Sequence, residues 1–97
     1  MEIVSTNVEV PSEYKLENYP NPFNPTTTIS YQLPEAGMVT LKIYDMLGKE
    51  VATLVNEVKQ AGYYSTTFDA GKLASGIYIS TIQTNNFTQS KKMLLVK

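Results

Sequence analysis

Met38-Val39-Thr40-Leu41-Lys42-Ile43-Tyr44-Asp45-Met46-Leu47-Gly48 is the stretch that decides the fold. Val39, Leu41 and Ile43 alternate with Thr40 and Lys42. This period of two puts one set of side chains on a core face and the other in solvent, as a half-buried strand requires. The strand, 38–45, runs into Asp45-Met46-Leu47-Gly48, which reads as a tight hairpin turn with Gly48 at positive φ. The returning strand is expected over 49–55, with Val51, Leu54 and Val55 as its apolar set, although its alternation is less clean.

The same pattern continues on both sides. Upstream, a strand is expected over 27–33, with Ile29, Tyr31 and Leu33 on one face and Pro34-Glu35-Ala36-Gly37 as its turn. A short edge strand is expected near Tyr14-Lys15-Leu16. Downstream, 56–62 reads as a longer connection, and 63–68 as a strand presenting Tyr64, Thr66 and Phe68 on one face. A turn-rich link over 69–75 ends at Gly76. In the next strand, 77–84, Ile77 and Ile79 compete with Tyr78 and Ile82 for the core. Asn85-Asn86 is expected to form a two-residue turn through the tolerance of Asn for positive φ. The last strand, 87–96, starts polar and ends apolar on both faces. Short strands punctuated by turns at this spacing predict an all-β antiparallel sandwich of about seven strands.

Before these strands stands Asn18-Tyr19-Pro20-Asn21-Pro22-Phe23-Asn24-Pro25, which holds three of the five prolines. Each proline fixes its own φ, lacks an amide donor and pushes the preceding residue toward extended geometry. The segment is expected to be a stiff, extended lead-in that docks Tyr19 and Phe23 on the sandwich.

Ninety-seven residues suit one domain. A fold of this size buries roughly two thirds of its unfolded surface. Hydrophobic residues make up 42% and charged residues 18%, which fits a globular class rather than disorder. The net charge is −1, all eight basic residues are Lys, and no basic stripe interleaves with aromatics, so nucleic acid is not an expected partner. No run approaches the ~18 apolar residues of a membrane span. With no Cys, the fold owes nothing to disulfides. Met1-Glu2-Ile3-Val4-Ser5 lacks the basic and apolar regions of a signal peptide.

The chain has neither His nor Cys, which removes the usual general base, the thiol nucleophile and most transition-metal ligands. Glu35, Asp45, Glu50, Glu57 and Asp69 are dispersed, and Asp45 and Asp69 at strand ends are expected to accept bonds from turn amides. Gly71-Lys72 lacks the rest of a phosphate loop, and Asp69-Ala70-Gly71-Lys72 offers calcium a single carboxylate. No enzyme, cofactor or metal site is therefore expected. Asn86-Phe87-Thr88 fits the glycosylation acceptor pattern but also fits a hairpin turn. Tyr63, Tyr64 and Tyr78 raise a carbohydrate- or protein-binding reading, set against half-buried sandwich tyrosines. Lys91-Lys92-Met93-Leu94-Leu95-Val96-Lys97 is either the completing strand of its own sheet or an exposed tag able to add to the sheet edge of another protein.

Taken together, residues 18–34, 39–51, Ala74-Ser75-Gly76-Ile77-Tyr78 and 91–97 resemble, in order, the type A C-terminal sorting domain of the type IX (Por) secretion system. The resemblance implies an immunoglobulin-like β-sandwich of seven strands at the C-terminal end of a secreted protein. It implies residues 1–17 as a tether from an upstream cargo and 18–97 as the sorting domain. It also implies a non-catalytic signal read by a translocon and its shuttle protein. It implies, further, a surface sortase that removes the domain and anchors the cargo on the cell surface of a Gram-negative bacterium, reached through the periplasm. Carried onto this chain, recognition falls on Gly76, Ile77, Tyr78, Lys91, Lys92, Met93, Leu94, Leu95, Val96 and Lys97. Tyr19, Pro20, Asn21, Pro22, Phe23, Asn24, Pro25, Asp45 and Gly48 shape the lead-in and turns. The second and third strands are also similar to the immunoglobulin-like domain of flagellar hook-capping proteins, a scaffold. Phe68-Asp69-Ala70 stands where such relatives often carry Trp-Asp-Gly.

Overall fold

Val39, Leu41 and Ile43 are buried and Thr40 and Lys42 half-buried, so the alternation that marks this strand is the alternation of its two faces. A computed structural model describes residues 10–97, and the first nine residues of the expected tether lie outside the described residues. The described residues form β1 (Lys15–Tyr19), β2 (Thr26–Leu33), β3 (Gly37–Tyr44), β4 (Glu50–Lys59), β5 (Gly62–Asp69), β6 (Gly76–Gln83) and β7 (Thr88–Leu95), with no helix. One sheet runs β1-β2-β5 and the other β4-β3-β6-β7, and every strand pairing within them is antiparallel. This is the immunoglobulin-like sandwich. Ile29, Leu33 and Phe68 of the first sheet face Leu41, Ile43, Ile82 and Met93 of the second in one buried cluster.

The short edge strand expected near Tyr14-Lys15-Leu16 is β1. β1 begins at Lys15, and Leu16 is fully buried opposite Tyr31.

β4 is longer than expected. It continues to Lys59, so the connection to β5 is only Gln60-Ala61. Two register irregularities against β3 explain why the sequence hides it. Leu41 pairs with Val55 but Lys42 with Thr53, and Ile43 pairs with Ala52 but Tyr44 with Glu50. Leu54 and Val51 are thereby left as extra residues. Each bulge flips the inside-outside phase, and the apolar pattern breaks with it.

In β6 the core face belongs to Tyr78, Ser80 and Ile82. Ser80 hides this face in the sequence: it is buried yet polar, and its Oγ donates to the Lys91 carbonyl at 3.4 Å. The β6–β7 turn closes with the Thr84 amide donating to the Phe87 carbonyl at 2.8 Å, leaving Asn85 and Asn86 as its tip. No non-glycine residue among those described has positive φ, so the turn does not use the left-handed Asn conformation expected of it. The Thr84 hydroxyl instead accepts the Asn86 amide at 3.3 Å.

The proline segment departs most from expectation. It bends at Pro20, Asn21 and Pro22 rather than running extended, and it bridges β7 in parallel at Phe23 and Leu95. Phe23 is buried against Phe68, with ring centroids 6.2 Å apart, but Tyr19 is 81% exposed and does not dock. The bend is held from inside. The buried Thr27 hydroxyl donates to the Pro20 carbonyl at 2.9 Å and accepts from Asn18 Nδ2 at 3.2 Å.

Candidate recognition surface

Strand β7 lies beside β6 in a register that pairs Gly76 with Leu95, Ile77 with Leu94 and Tyr78 with Met93. The two blocks separated in sequence are thus one patch of sheet. The pleat then sorts their residues. Tyr78, Met93 and Leu95 point into the core and are buried. Ile77, Lys92, Leu94 and Val96 lie on the outer face, with Leu94 40% and Val96 47% exposed. Three of the ten nominated residues therefore hold the fold and are hidden from any partner. Lys91 shares the parity of Met93 but is exposed, where the sandwich opens beside β1.

The ends of the patch are fixed by polar contacts. The Tyr78 hydroxyl donates to the Ala74 carbonyl at 2.6 Å, a tyrosine corner at the start of the strand. Gly76 opens β6 with φ at +150°, a backbone essentially reserved for glycine. Lys97 folds back on the β5–β6 loop: its amide donates to Ser75 Oγ at 3.1 Å and its Nζ to the Gly71 carbonyl at 2.6 Å.

The contact that sequence reasoning missed is on the outer edge of β7. Asn21 Nδ2 donates to the Lys92 carbonyl at 3.1 Å, and Asn21 Oδ1 accepts the Leu94 amide at 3.0 Å. The Phe23 amide then donates to the Leu94 carbonyl at 2.9 Å, and the Phe23 carbonyl accepts the Val96 amide at 2.9 Å. A side-chain amide carries the donor and acceptor of a peptide group, so Asn21 extends the short parallel bridge made by Phe23. The edge is therefore occupied along 92–96, and of the two readings of the tail the structure has the strand that completes its own sheet. One signal in the sequence bears on this. Pro20, Pro22 and Pro25 have no N–H, which restricts the donors of the segment to the residues between them.

The acidic residues do structural work. Asp45 Oδ1 accepts the amides of Leu47 and Lys49, each at 2.9 Å, and Gly48 sits at φ +84° as expected. Asp69 Oδ1 accepts the Gly71 amide at 2.9 Å. Glu50 takes the Thr53 hydroxyl at 2.6 Å and Lys42 Nζ at 3.2 Å, and these partners, Thr53 foremost, hold its carboxyl below the usual range. Among the described residues no three acidic side chains gather as a metal site would require. The tyrosines do not form one platform either. Tyr64 stacks on buried Tyr31 with centroids 5.4 Å apart and donates to the Gln60 carbonyl, while Tyr78 is in the core. Only Tyr63 of the three nominated tyrosines is well exposed, on the opposite sheet.

Residues 17–97 match a protein family described as the secretion system C-terminal sorting domain. No curated protein matches the chain. The matched span includes the proline segment, the β3–β4 turn, Gly76-Ile77-Tyr78 and the tail.

Proposed function

This chain belongs to the secretion system C-terminal sorting domain family, the signal of type IX secretion, and from that membership we propose that the outer face of the β6–β7 patch is what the machinery reads. A sorting domain directs a cargo joined to it toward secretion or the cell surface, and it works by meeting the export apparatus. The recognised residues are Ile77, Lys92, Leu94, Val96 and Lys97, with Lys91 at the margin. Translocon and shuttle proteins dock on this face in the periplasm of a Gram-negative bacterium. A sortase then acts on the tether within residues 1–17 and anchors the released cargo at the outer surface. The domain itself is non-catalytic. The observation that carries this reading is the register that makes Gly76-Ile77-Tyr78 and the tail neighbours while leaving Leu94 and Val96 exposed.

The test is a fluorescent reporter fused ahead of residues 1–97 in a bacterium with an active type IX system. Deleting the tail is a poor test, because it removes buried Met93 and Leu95 and with them the fold. Leu94→Ser with Val96→Ser changes the outer face alone. Loss of reporter export with an unchanged unfolding transition supports the reading, and undiminished export overturns it.

A further inference from the structure

We propose that Asn21 is a positioning residue for the recognition face: it locks the outer edge of β7 so that the tail is presented by its face and not by its main chain. This rests on the reading that the machinery recognises the tail. β7 is an edge strand, and the Lys92 carbonyl, the Leu94 amide and carbonyl, and the Val96 amide point away from β6. Such a row of unpaired groups is a template for pairing with any other chain. Asn21 satisfies the first two groups and Phe23 the last two. Asn21 is itself held. Its Nδ2 lies 3.5 Å from Asn18 Oδ1, and Asn18 is tied to Thr27 and to the Pro20 carbonyl.

The lock explains why a lysine-flanked apolar tail stands in a fixed register. Leu94 and Val96 are exposed on the face, yet no incoming strand can pair with 92–96 while Asn21 and Phe23 stay in place. A partner must then recognise side chains, whose spacing the lock fixes. Side-chain truncation at Asn21 frees the Leu94 amide without touching the core, since Asn21 is exposed.

The experiment uses the full reporter fusion with Asn21→Ala, and Asn21→Asp as the conservative variant. Asn21→Asp keeps an acceptor for the Leu94 amide but loses the donor to Lys92. Amide exchange of the same chains is followed at Leu94, with Ile29 and Ile43 as core references. Asn21→Ala is expected to speed exchange at Leu94 roughly 5- to 30-fold and leave the references unchanged, the range for one or two lost interactions. Export should fall several-fold, and Asn21→Asp should recover both in part. Normal export in Asn21→Ala with a loosened Leu94 overturns the proposal, as does unchanged protection of Leu94. If Asn21→Ala loosens the references as well, Asn21→Asp decides: export that does not track Leu94 protection overturns the proposal. Export lost in the Leu94→Ser, Val96→Ser chain but kept in Asn21→Ala removes the positioning role alone. Export kept in the face variant removes the reading beneath it, and the role of Asn21 with it.

Discussion

Tyr78 reaches back to Ala74, its hydroxyl 2.6 Å from the main-chain carbonyl, and so ties the start of β6 to the loop that precedes it. Its ring is buried between the sheets, and the bond is the only polar work the side chain performs among the described contacts. Tyr78→Phe keeps the ring and deletes the bond. Because Ala74 is exposed, water can take over its carbonyl, and the expected loss is about 1 kcal/mol, the usual net value of one neutral hydrogen bond. Urea unfolding of the two chains measures it. A loss of several kcal/mol would mean that the ring has shifted as well.

Gly76, two residues earlier, makes a different demand. With φ at +150° it occupies backbone that side chains rarely allow, yet a Cβ built there meets nothing within 4 Å. Gly76→Ala is therefore expected to cost about 1–3 kcal/mol through the backbone alone. The check is a denaturant midpoint shifted at unchanged slope. Undiminished stability would make this glycine a contact residue rather than a conformational one.

These two residues show what was legible in the sequence and what was not. The strands around Leu41 and Ile29, the hairpin at Gly48 and the turn role of Asp45 follow from local rules of period and φ, and the structure has them. β4 escapes the same rules because the bulges at Val51 and Leu54 break its phase. The core face of β6 escapes because buried Ser80 looks like a surface residue. The Asn21 contact with Leu94 spans 73 positions, and no local pattern announces it. The family resemblance points to the tail and Gly76-Ile77-Tyr78 as whole blocks, but only the pleat separates Met93 and Leu95, which pack, from Leu94 and Val96, which are exposed.

Tyr31 gives the domain an alkaline limit. Burial, reinforced by the neighbouring Tyr64 and Glu57, pushes its hydroxyl up to about 12. An unfolded tyrosine releases its proton near pH 10. Between those values the folded chain binds more protons than the unfolded one, so stability falls as pH rises. The contribution is whole below about pH 10 and is lost toward pH 12. Tyr31→Phe keeps the stacking on Tyr64 and removes the titration. Urea midpoints at pH 9 and 11 should fall further for the parent than for the variant; equal falls would assign the alkaline loss to other groups, the lysines among them.

Phe23 joins the two ends of the domain, and its truncation tests the largest claim. Its ring is buried beside Phe68, and its main chain carries the second half of the β7 cap. Phe23→Ala empties that site and is expected to cost about 3–5 kcal/mol, a large share of the roughly 5–15 kcal/mol that holds a domain together. The loss should not be uniform. The main-chain bonds to Leu94 and Val96 depend on the ring being seated, so amides at the end of β7 should exchange faster than the global destabilisation requires, while Thr88 to Ser90 follow the rest of the sheet. Phe23→Leu, which refills most of the volume, should restore most of the protection. Uniform loosening along β7 in Phe23→Ala would show that the aromatic supports the core in general and that the cap does not depend on it.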